Sequence, residues 1–184
     1  PNEVSLMIAT WEWGKYLGDQ LLNVCISSFQ RPNPKSFKIE AKACGHYVNS
    51  ILATTEAKQR GFDEGLLLDI EGFVAEGPGA NFFYEKDGVL YTPPKGNILP
   101  GITRQTVLEI CAELDLKVVE KLFKPEELFE ADSAFFCGTA AEVIGIDSIE
   151  RQKFNKPWKE SIGATIQEAY RCLVLDKSYS YVIV

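Results

Sequence analysis

The sequence has very little histidine and methionine, with one residue of each among 184. A single histidine leaves too few nitrogen ligands for an ordinary zinc site, so we expect no metal centre. The cysteines are odd in number and widely spaced, and no Cys-x-x-Cys pair occurs among Cys25, Cys44, Cys111, Cys137 and Cys172. This usage indicates reduced and mostly buried thiols, as in a cytoplasmic protein.

Positive charge is also scarce. The chain has 19 basic against 26 acidic residues, a formal charge of −7, and no basic run, which argues against a nucleic-acid partner. No apolar run reaches the length of a membrane span and no signal peptide opens the sequence, so we expect no membrane association. Apolar residues make up 46%, enough for one domain with a substantial core. The chain begins with Pro1 rather than methionine, which fits either an engineered truncation or a piece of a longer protein.

Short apolar or alternating runs, bounded by turn residues, predict a series of strands. They cover residues 4–10, 22–29, 65–70, 73–75, 80–86, 89–92, 118–121, 133–137 and 142–149. The dipeptide Asp87-Gly88 between two of these runs is a strong hairpin signal. The sequence therefore predicts a sheet of many short strands.

Helical periodicity appears in residues 43–60, 104–114 and 158–175, and Pro125 opens a short helix over 125–129. Gly61 is expected to end the first helix, and Thr103 is expected to be the N-cap of the second. The expected apolar side of the first helix consists of Tyr47, Val48, Ile51, Leu52 and Ala57.

Lys42 lies just before the first predicted helix, among the small residues Ala41, Ala43, Cys44 and Gly45. A lysine in such a place is usually a solvated charge. A lysine amine is also the usual group for attack on a carbonyl, provided that enough of it is unprotonated. The neighbours of Lys42 do not form a charged surface, which favours the second interpretation.

Glu76 ends a predicted strand and is followed by Gly-Pro-Gly, where the backbone leaves room for a ligand. A carboxylate there is suited to hold the ring nitrogen of pyridoxal phosphate (PLP) in its protonated form. Tyr47 is suited to bind the 3-oxygen of the same ring. Each residue alone also fits a plain structural interpretation, Glu76 as an exposed loop glutamate and Tyr47 as a half-buried helix tyrosine.

Two further stretches have the features of phosphate sites. Residues 101–103, Gly-Ile-Thr, precede a predicted helix, and residues 138–140, Gly-Thr-Ala, follow a strand. Backbone N–H groups at such positions bind phosphate well. Either stretch alone is a weak signal, but together with the lysine, tyrosine and glutamate they indicate a PLP site. His46 has no accompanying carboxylate or serine motif, so we interpret it as a packing residue or a residue of the pocket wall.

At this point the sequence resembles the branched-chain amino acid aminotransferases, which are fold type IV PLP enzymes. The resemblance runs from about Trp11 to Ile149. It rests on the segments Ala-Lys-Ala-Cys-Gly-His-Tyr, Glu-Gly-Pro-Gly-Ala-Asn, Leu-Pro-Gly-Ile-Thr-Arg and Gly-Thr-Ala-Ala-Glu, in that order. It implies an α/β (α+β) fold, a pseudo-barrel of mixed strands with surrounding helices. It also implies a homodimer that transfers amino groups between leucine, isoleucine or valine and 2-oxoglutarate.

The resemblance implies a role for each residue near the cofactor ring. Lys42 would be the catalytic lysine, which joins the cofactor aldehyde as an imine and then moves a proton between the substrate α-carbon and the cofactor C4′. Tyr47 would contact the 3-oxygen, Glu76 would hold the ring nitrogen, and Leu99 would pack on the ring. Asn81 would support these groups.

The resemblance also implies roles around the phosphate and the substrate. Ile102 and Thr103, joined by Thr139, would bind the phosphate. The backbone at Thr139 and Ala140 would receive the substrate carboxylate. Trp13 and the loop over residues 14–18 would close over the substrate, although the two tryptophans of residues 11–18 also fit the packing of a domain junction.

Relatives of this kind have a small N-terminal domain that supplies an arginine to the phosphate. By this resemblance, residues 1–10 are the last strand of such a domain, residues 11–18 the interdomain loop and residues 19–184 the large cofactor-binding domain. Without the small domain, we expect the chain to bind the cofactor weakly or not at all. Two alternatives stay open at this point: a D-amino acid aminotransferase or aminodeoxychorismate lyase on the same fold, and an inert dimerisation domain.

Overall fold

A computed structural model describes residues 2–175 of the chain. Its nine strands form one sheet: β1 (Leu22–Gln30), β2 (Glu64–Leu68), β3 (Val74–Glu76), β4 (Asn81–Lys86), β5 (Val89–Thr92), β6 (Val118–Glu120), β7 (Ser133–Gly138), β8 (Glu142–Ile149) and β9 (Gln152–Lys153). The α-helices are α1 (Tyr47–Gln59), α2 (Ile102–Glu113) and α3 (Ile162–Leu175). Short 3₁₀ turns cover Cys44–His46, Pro125–Glu130 and Trp158–Glu160.

Six of the strands close into a ring in the order β3-β2-β1-β8-β7-β4, and the ring is completed where β4 meets β3 again. The closing pair is Glu76 opposite Asn81. Strands β1 and β2 run parallel, as do β1 and β8, while the other pairs of the ring are antiparallel. This arrangement confirms the mixed-strand pseudo-barrel with helices.

Aromatic side chains on β4 and β7 show how the two faces of the sheet are used. Phe82 and Phe136 point into the ring, with centroids 5.7 Å apart, and join a core cluster that has members from every ring strand. Phe83 and Phe135 point outwards and stack at 5.0 Å in a second cluster, which α2 and α3 cover. Successive residues face opposite sides because a strand has a period of two.

The predicted hairpin at Asp87-Gly88 is confirmed. Both residues have positive φ, 50° for Asp87 and 72° for Gly88, as the tightest hairpin turns require. Strands β4 and β5 pair on either side of it. Most other predicted strands and all three main helices agree with the structure to within a few residues.

The strand predicted for residues 4–10 is not observed. This apolar stretch is exposed and forms no strand in the structure, because no strand of the described residues pairs with it. A lone strand has no partner for its backbone N–H and C=O groups, so the amino-acid pattern alone does not define one.

The apolar side predicted for α1 is also wrong, except at Ala57. Val48 and Ile51 are 62% and 63% exposed, whereas Ser50, Ala53 and Ala57 are buried. These small side chains let the helix lie close to the sheet. The approach is close at Gly65 of β2, where an added Cβ would lie 3.4 Å from the Ala53 carbonyl oxygen. Close approach of the backbones, rather than hydrophobicity, decides which side of α1 faces inwards.

Two smaller points complete the comparison. The N-cap of α2 is Gly101 rather than Thr103, which lies within the first turn of the helix. No helix of residues 2–175 is long and apolar enough to cross a lipid bilayer.

Candidate active site

A cavity of about 260 Å³ lies beside the closing pair of the barrel. Four segments form its wall: the stretch before α1, the turn between β3 and β4, the start of α2 and the end of β7. Seven residues expected around a cofactor line it together: Lys42, Tyr47, Glu76, Leu99, Ile102, Thr103 and Thr139. The tertiary structure thus brings residues nearly 100 positions apart into one site.

Lys42 lies in the loop that leads into the 3₁₀ turn Cys44–His46. Its side chain is exposed and lines the cavity, with Tyr47 at the first position of α1 on the same wall. His46 also lines the cavity, where its ring meets Phe37 edge-on at 5.5 Å. The buried His46 Nδ1 has no hydrogen-bond partner among the described residues. His46 therefore lies in the pocket wall, as the sequence indicated.

Glu76 is the last residue of β3 and is buried, so it is not an exposed loop glutamate. Its Oε1 accepts a hydrogen bond from the Leu99 backbone N–H at 3.0 Å. Its Oε2 accepts one from Asn81 Nδ2 at 2.9 Å, and the same amide nitrogen donates to the Leu99 carbonyl at 2.8 Å. Asn81 therefore links the glutamate to the loop before α2, a supporting position like the one expected for it.

Arg31 is a site residue that the sequence reasoning missed. It follows β1, lines the cavity, and places Nη2 3.0 Å from Glu76 Oε1. Its side chain is 7% exposed, and its Nε has no hydrogen-bond partner in residues 2–175. Arginines are mostly exposed, and an arginine between a strand and a proline has no local pattern that signals burial. Only the strand's place in the barrel turns it inwards.

Burial raises the pKa of Glu76 to about 7. The neighbouring positive charges of Arg31, Arg104 and Lys42, and the Leu99 N–H, oppose this rise because they favour the carboxylate. An acid with a pKa so far above its ordinary range, inside a cavity, is typical of a functional site.

The start of α2 provides donors for an anion. Its first N–H groups have no partner within the helix, and no side chain caps it. Ile102 is exposed and Thr103 is buried at this end. Just behind them, the buried Arg104 donates from Nη2 to the Pro93 carbonyl at 3.0 Å and to Glu120 at 2.7 Å. Arg104 thereby fixes the first turn of the helix next to the cavity.

Glycines allow close approach of the chain around the site. A Cβ on Gly101 would lie 2.2 Å from Asn81 Oδ1, and one on Gly138 would lie 3.1 Å from the Gly79 carbonyl. Thr139, directly after Gly138, reaches the cavity wall because β7 comes so near the β3–β4 turn. The Gly-rich segments are needed for packing around the cavity.

Two expected substrate residues do not line this cavity. Ala140 lines a smaller one of about 140 Å³, together with Lys15, Tyr16 and Arg171. Trp13 lines neither cavity; it is 68% exposed, stacked on Trp11 at 6.1 Å and edge-on to Tyr16 at 6.5 Å. The roles suggested for both residues stay predictions.

The arrangement combines an amine, a buried acid with an arginine partner, and a helix N-terminus around one small space. Such a set suits a ligand with an aldehyde, a basic ring nitrogen and a phosphate. The volume is close to the lower end of ordinary small-molecule sites, about 300 Å³. A lysine at the aldehyde of such a ligand would transfer protons, and an acid at its ring nitrogen would stabilise the positive charge there.

Comparisons with known proteins agree with this chemistry. The family model for amino-transferase class IV matches residues 1–149. The chain is 43% identical over 183 residues to a branched-chain-amino-acid aminotransferase of Pseudomonas aeruginosa, covering 97% of this chain and 60% of that protein.

Solved structures show the same likeness. The chain resembles the branched-chain aminotransferase of Thermoproteus uzoniensis with norvaline, at a TM-score of 0.87 and 41% identity, covering 93% of this chain and 58% of the other. It also resembles the enzyme of Thermobaculum terrenum in its PLP form, at a TM-score of 0.83 and 38% identity, covering 88% and 53%. The chain thus spans between 53% and 60% of the length of these relatives.

Proposed function

The chain belongs to the class IV aminotransferase family, and from that premise we propose that it is the cofactor-binding part of a PLP-dependent branched-chain amino acid aminotransferase. The whole enzyme would exchange an amino group between leucine, isoleucine or valine and 2-oxoglutarate. One observation carries the proposal: Lys42 and Glu76, the expected amine and acid, line the same cavity beside the N-terminus of α2.

The residues of the cavity fit PLP. The buried Glu76 offers an anion to the ring nitrogen, the uncapped start of α2 offers N–H groups to a phosphate, and Lys42 offers an amine to the aldehyde. The branched-chain aminotransferase of Thermobaculum terrenum, which this chain resembles, has been solved in its PLP form. When bound, PLP supplies a ring that accepts the electrons released as the substrate α-carbon loses its proton.

We assign the proton transfers to Lys42. Its Nζ would take the proton from the substrate α-carbon and deliver it to the cofactor C4′. Tyr47 would donate its hydroxyl proton to the 3-oxygen, and Glu76 would accept the hydrogen bond of the protonated ring nitrogen. Leu99 would cover the ring and exclude water from that side.

The phosphate and the substrate would be held by backbone and hydroxyl groups. Ile102 and Thr103 would bind the phosphate from the first turn of α2, and Thr139 would add its hydroxyl. The N–H groups of Thr139 and Ala140 would bind the substrate carboxylate. Trp13 would cover the substrate if residues 11–18 close over the cavity, which requires movement from their place in the structure.

The domain limits form part of the proposal. Residues 1–10 would pair as a strand outside the large domain, residues 11–18 would link the two regions, and residues 19–184 would form the cofactor domain. The exposed apolar side chains between Val4 and Ile8 support this division, since they find no partner in the described structure.

We also propose a cytoplasmic homodimer. The exposed apolar side of α1, formed by Val48, Ile51 and Leu52, supports a covered surface in the assembled protein. All five cysteines are unpaired, which supports a reducing compartment. Sedimentation equilibrium tests the assembly, and a monomer at all concentrations would contradict it.

The cofactor proposal is tested by titrating the chain with PLP to millimolar concentration. We expect a protein-bound absorption band at about 410–430 nm, typical of PLP held through a lysine. The band should vanish in Lys42→Ala and persist in Lys35→Ala, a control at an exposed lysine outside the cavity. Equal bands in both variants would refute the role of Lys42.

An amino-donor screen on active enzyme, with leucine, isoleucine and valine against D-amino acids, then tests the substrate class.

A further inference from the structure

Arg31 is held at the cavity by the barrel itself. Its backbone N–H donates to the Leu68 carbonyl at 2.8 Å, which extends the pairing of β1 with β2 by one residue. The carbonyl of the same peptide group, that of Gln30, accepts a hydrogen bond from Asn49 Nδ2 of α1 at 2.8 Å. The peptide group that precedes Arg31 is thus held through both its N–H and its C=O, which fixes the point from which the side chain enters the cavity wall.

The ion pair between Arg31 and Glu76 is almost fully removed from solvent. The two side chains are 7% and 6% exposed, and no other ion pair or hydrogen bond of the Arg31 side chain is found in residues 2–175. An arginine cannot lose its proton under ordinary conditions. If Glu76 took up a proton, the guanidinium would remain as a buried charge without a counterion, which is strongly unfavourable.

Every direct protein partner of the Glu76 carboxylate is a donor. The partners are the Arg31 guanidinium, the Leu99 N–H and the Asn81 amide NH₂. The orientation of Asn81 is set by its second hydrogen bond, because only the NH₂ end can donate to the Leu99 carbonyl. None of these groups can accept a hydrogen bond from a protonated Glu76, so these contacts favour the anion and oppose the effect of burial, which favours the protonated acid.

Other charges nearby are less direct. Arg104 has its own acceptors in Glu120 and the Pro93 carbonyl, and Lys42 is an exposed residue of the cavity lining. The titratable side chains that line the cavity or act on Glu76 are Arg31, Glu40, Lys42, His46, Tyr47, Arg104 and Cys137. Arg31 is the cation in direct contact with the carboxylate.

We propose that Arg31 is a positioning residue of the active site, which keeps Glu76 ionised and aimed at the ring nitrogen of the cofactor. The inference rests on the proposed function for the identity of the cofactor. The ion pair itself, however, belongs to the protein alone and can be tested without PLP. Burial raises the pKa of Glu76 and the Arg31 charge opposes that rise, so loss of this cation would favour the protonated acid.

The first experiment follows the ionisation of Glu76 in the cofactor-free chain. The chain is labelled with ¹³C at the glutamate carboxyl carbons, and the Glu76 signal is identified by its loss in Glu76→Gln. We expect the midpoint of its titration to rise by about one pH unit in Arg31→Gln, roughly a tenfold weaker acid, and by about half a unit in Arg31→Lys.

The matched control is Arg60→Gln. Arg60 also forms an ion pair with a glutamate, Glu150 at 2.9 Å, but lies outside the cavity. Its loss should leave the Glu76 midpoint unchanged. Circular dichroism checks that each variant is folded. Should Arg31→Gln fail to fold, Arg31→Lys decides: an unchanged Glu76 midpoint in whichever Arg31 variant folds overturns the proposal.

The second experiment adds PLP labelled with ¹⁵N at the ring nitrogen. The wild-type chain should show the signal of a protonated ring nitrogen, and Arg31→Gln should shift it towards neutral pyridine, while Arg60→Gln should not. If the wild-type chain binds no PLP even at millimolar concentration, the cofactor proposal fails for this chain by itself, and the carboxyl titration still decides the role of Arg31. If PLP binds but the Glu76 midpoint and the ring-nitrogen signal are the same in the wild-type chain and in Arg31→Gln, the proposed function stands and the role of Arg31 is refuted.

Discussion

The replacement Glu76→Gln should change how the stability of the cofactor-free chain depends on pH. Burial raises the pKa of Glu76 from 4.5 to about 7 on folding, so the folded chain binds this proton more tightly than the unfolded chain. A group of this kind contributes its stabilisation at low pH and loses it as the pH rises through the folded-state pKa. Between these two values, the wild-type chain should therefore lose stability with increasing pH.

The magnitude follows from the two pKa values. From pH 5.5 to pH 8.5 the contribution of Glu76 to the free energy of unfolding should fall by about 2 kcal/mol, because a tenfold change in proton affinity corresponds to about 1.4 kcal/mol. Glutamine does not titrate, so this loss should be missing from the variant. The absolute stability of the variant carries no such information, because glutamine also leaves Arg31 without its counterion.

Urea unfolding followed by far-ultraviolet circular dichroism at several pH values measures the effect. The quantity to plot is the wild-type minus the variant free energy of unfolding, which cancels the titration of all other groups. Glu56→Gln is the control: burial works against ionisation there, but hydrogen bonds from Ser27 and Ser28 outweigh it and lower the pKa of Glu56. Glu56 stays ionised in both states across this range, so its difference plot should be flat. A flat plot for Glu76, or a rise with pH, would refute the reasoning.

Two further predictions concern packing and buried charge. Gly101→Ala should destabilise the chain by about 1–3 kcal/mol and weaken PLP binding, because the new Cβ would lie 2.2 Å from Asn81 Oδ1. The control Gly45→Ala adds a Cβ with nothing within 4 Å and should change the free energy of unfolding by less than about 0.5 kcal/mol. Urea titrations of both variants test this. Glu85→Gln should lower the free energy of unfolding by about 2–4 kcal/mol in the same assay. The Glu85 carboxylate is fully buried and accepts hydrogen bonds from Lys156, from the Ser133 hydroxyl at 3.0 Å and from the first N–H of α3 at 2.8 Å. A loss of stability below about 1 kcal/mol would contradict this prediction.

The local structure was largely predictable because it depends on local physics. The Asp87-Gly88 turn needs positive φ at both positions, and asparagine, aspartate and glycine reach it most easily. The short apolar runs within 80–86 and 133–137 predict strands whatever their neighbours, and the structure has β4 and β7 there. The motifs around Lys42, Glu76 and Thr103 were found for the same reason, since each depends on a short run of residues.

The orientation of α1 could not be predicted in this way. Its periodicity places Val48 and Ile51 on one side, but periodicity does not say which side another element covers. The sheet accepts Ala53 and Ala57 instead, because Gly65 of β2 leaves room for the helix backbone and not for large side chains. Interpretation of the α1 side chains therefore requires the neighbouring strand.

By itself, the sequence determined most of the strands, the three main helices and the short motifs that carry an amine, an acid and the N-terminus of a helix. Only the tertiary structure decided that β3 and β4 close the barrel at Glu76 and Asn81, and that Arg31 turns inwards to meet the acid there. The physical reason is distance along the chain: Arg31 and Glu76 lie 45 residues apart. Their ion pair exists because ring closure buries both ends in one place, and no local pattern records that closure.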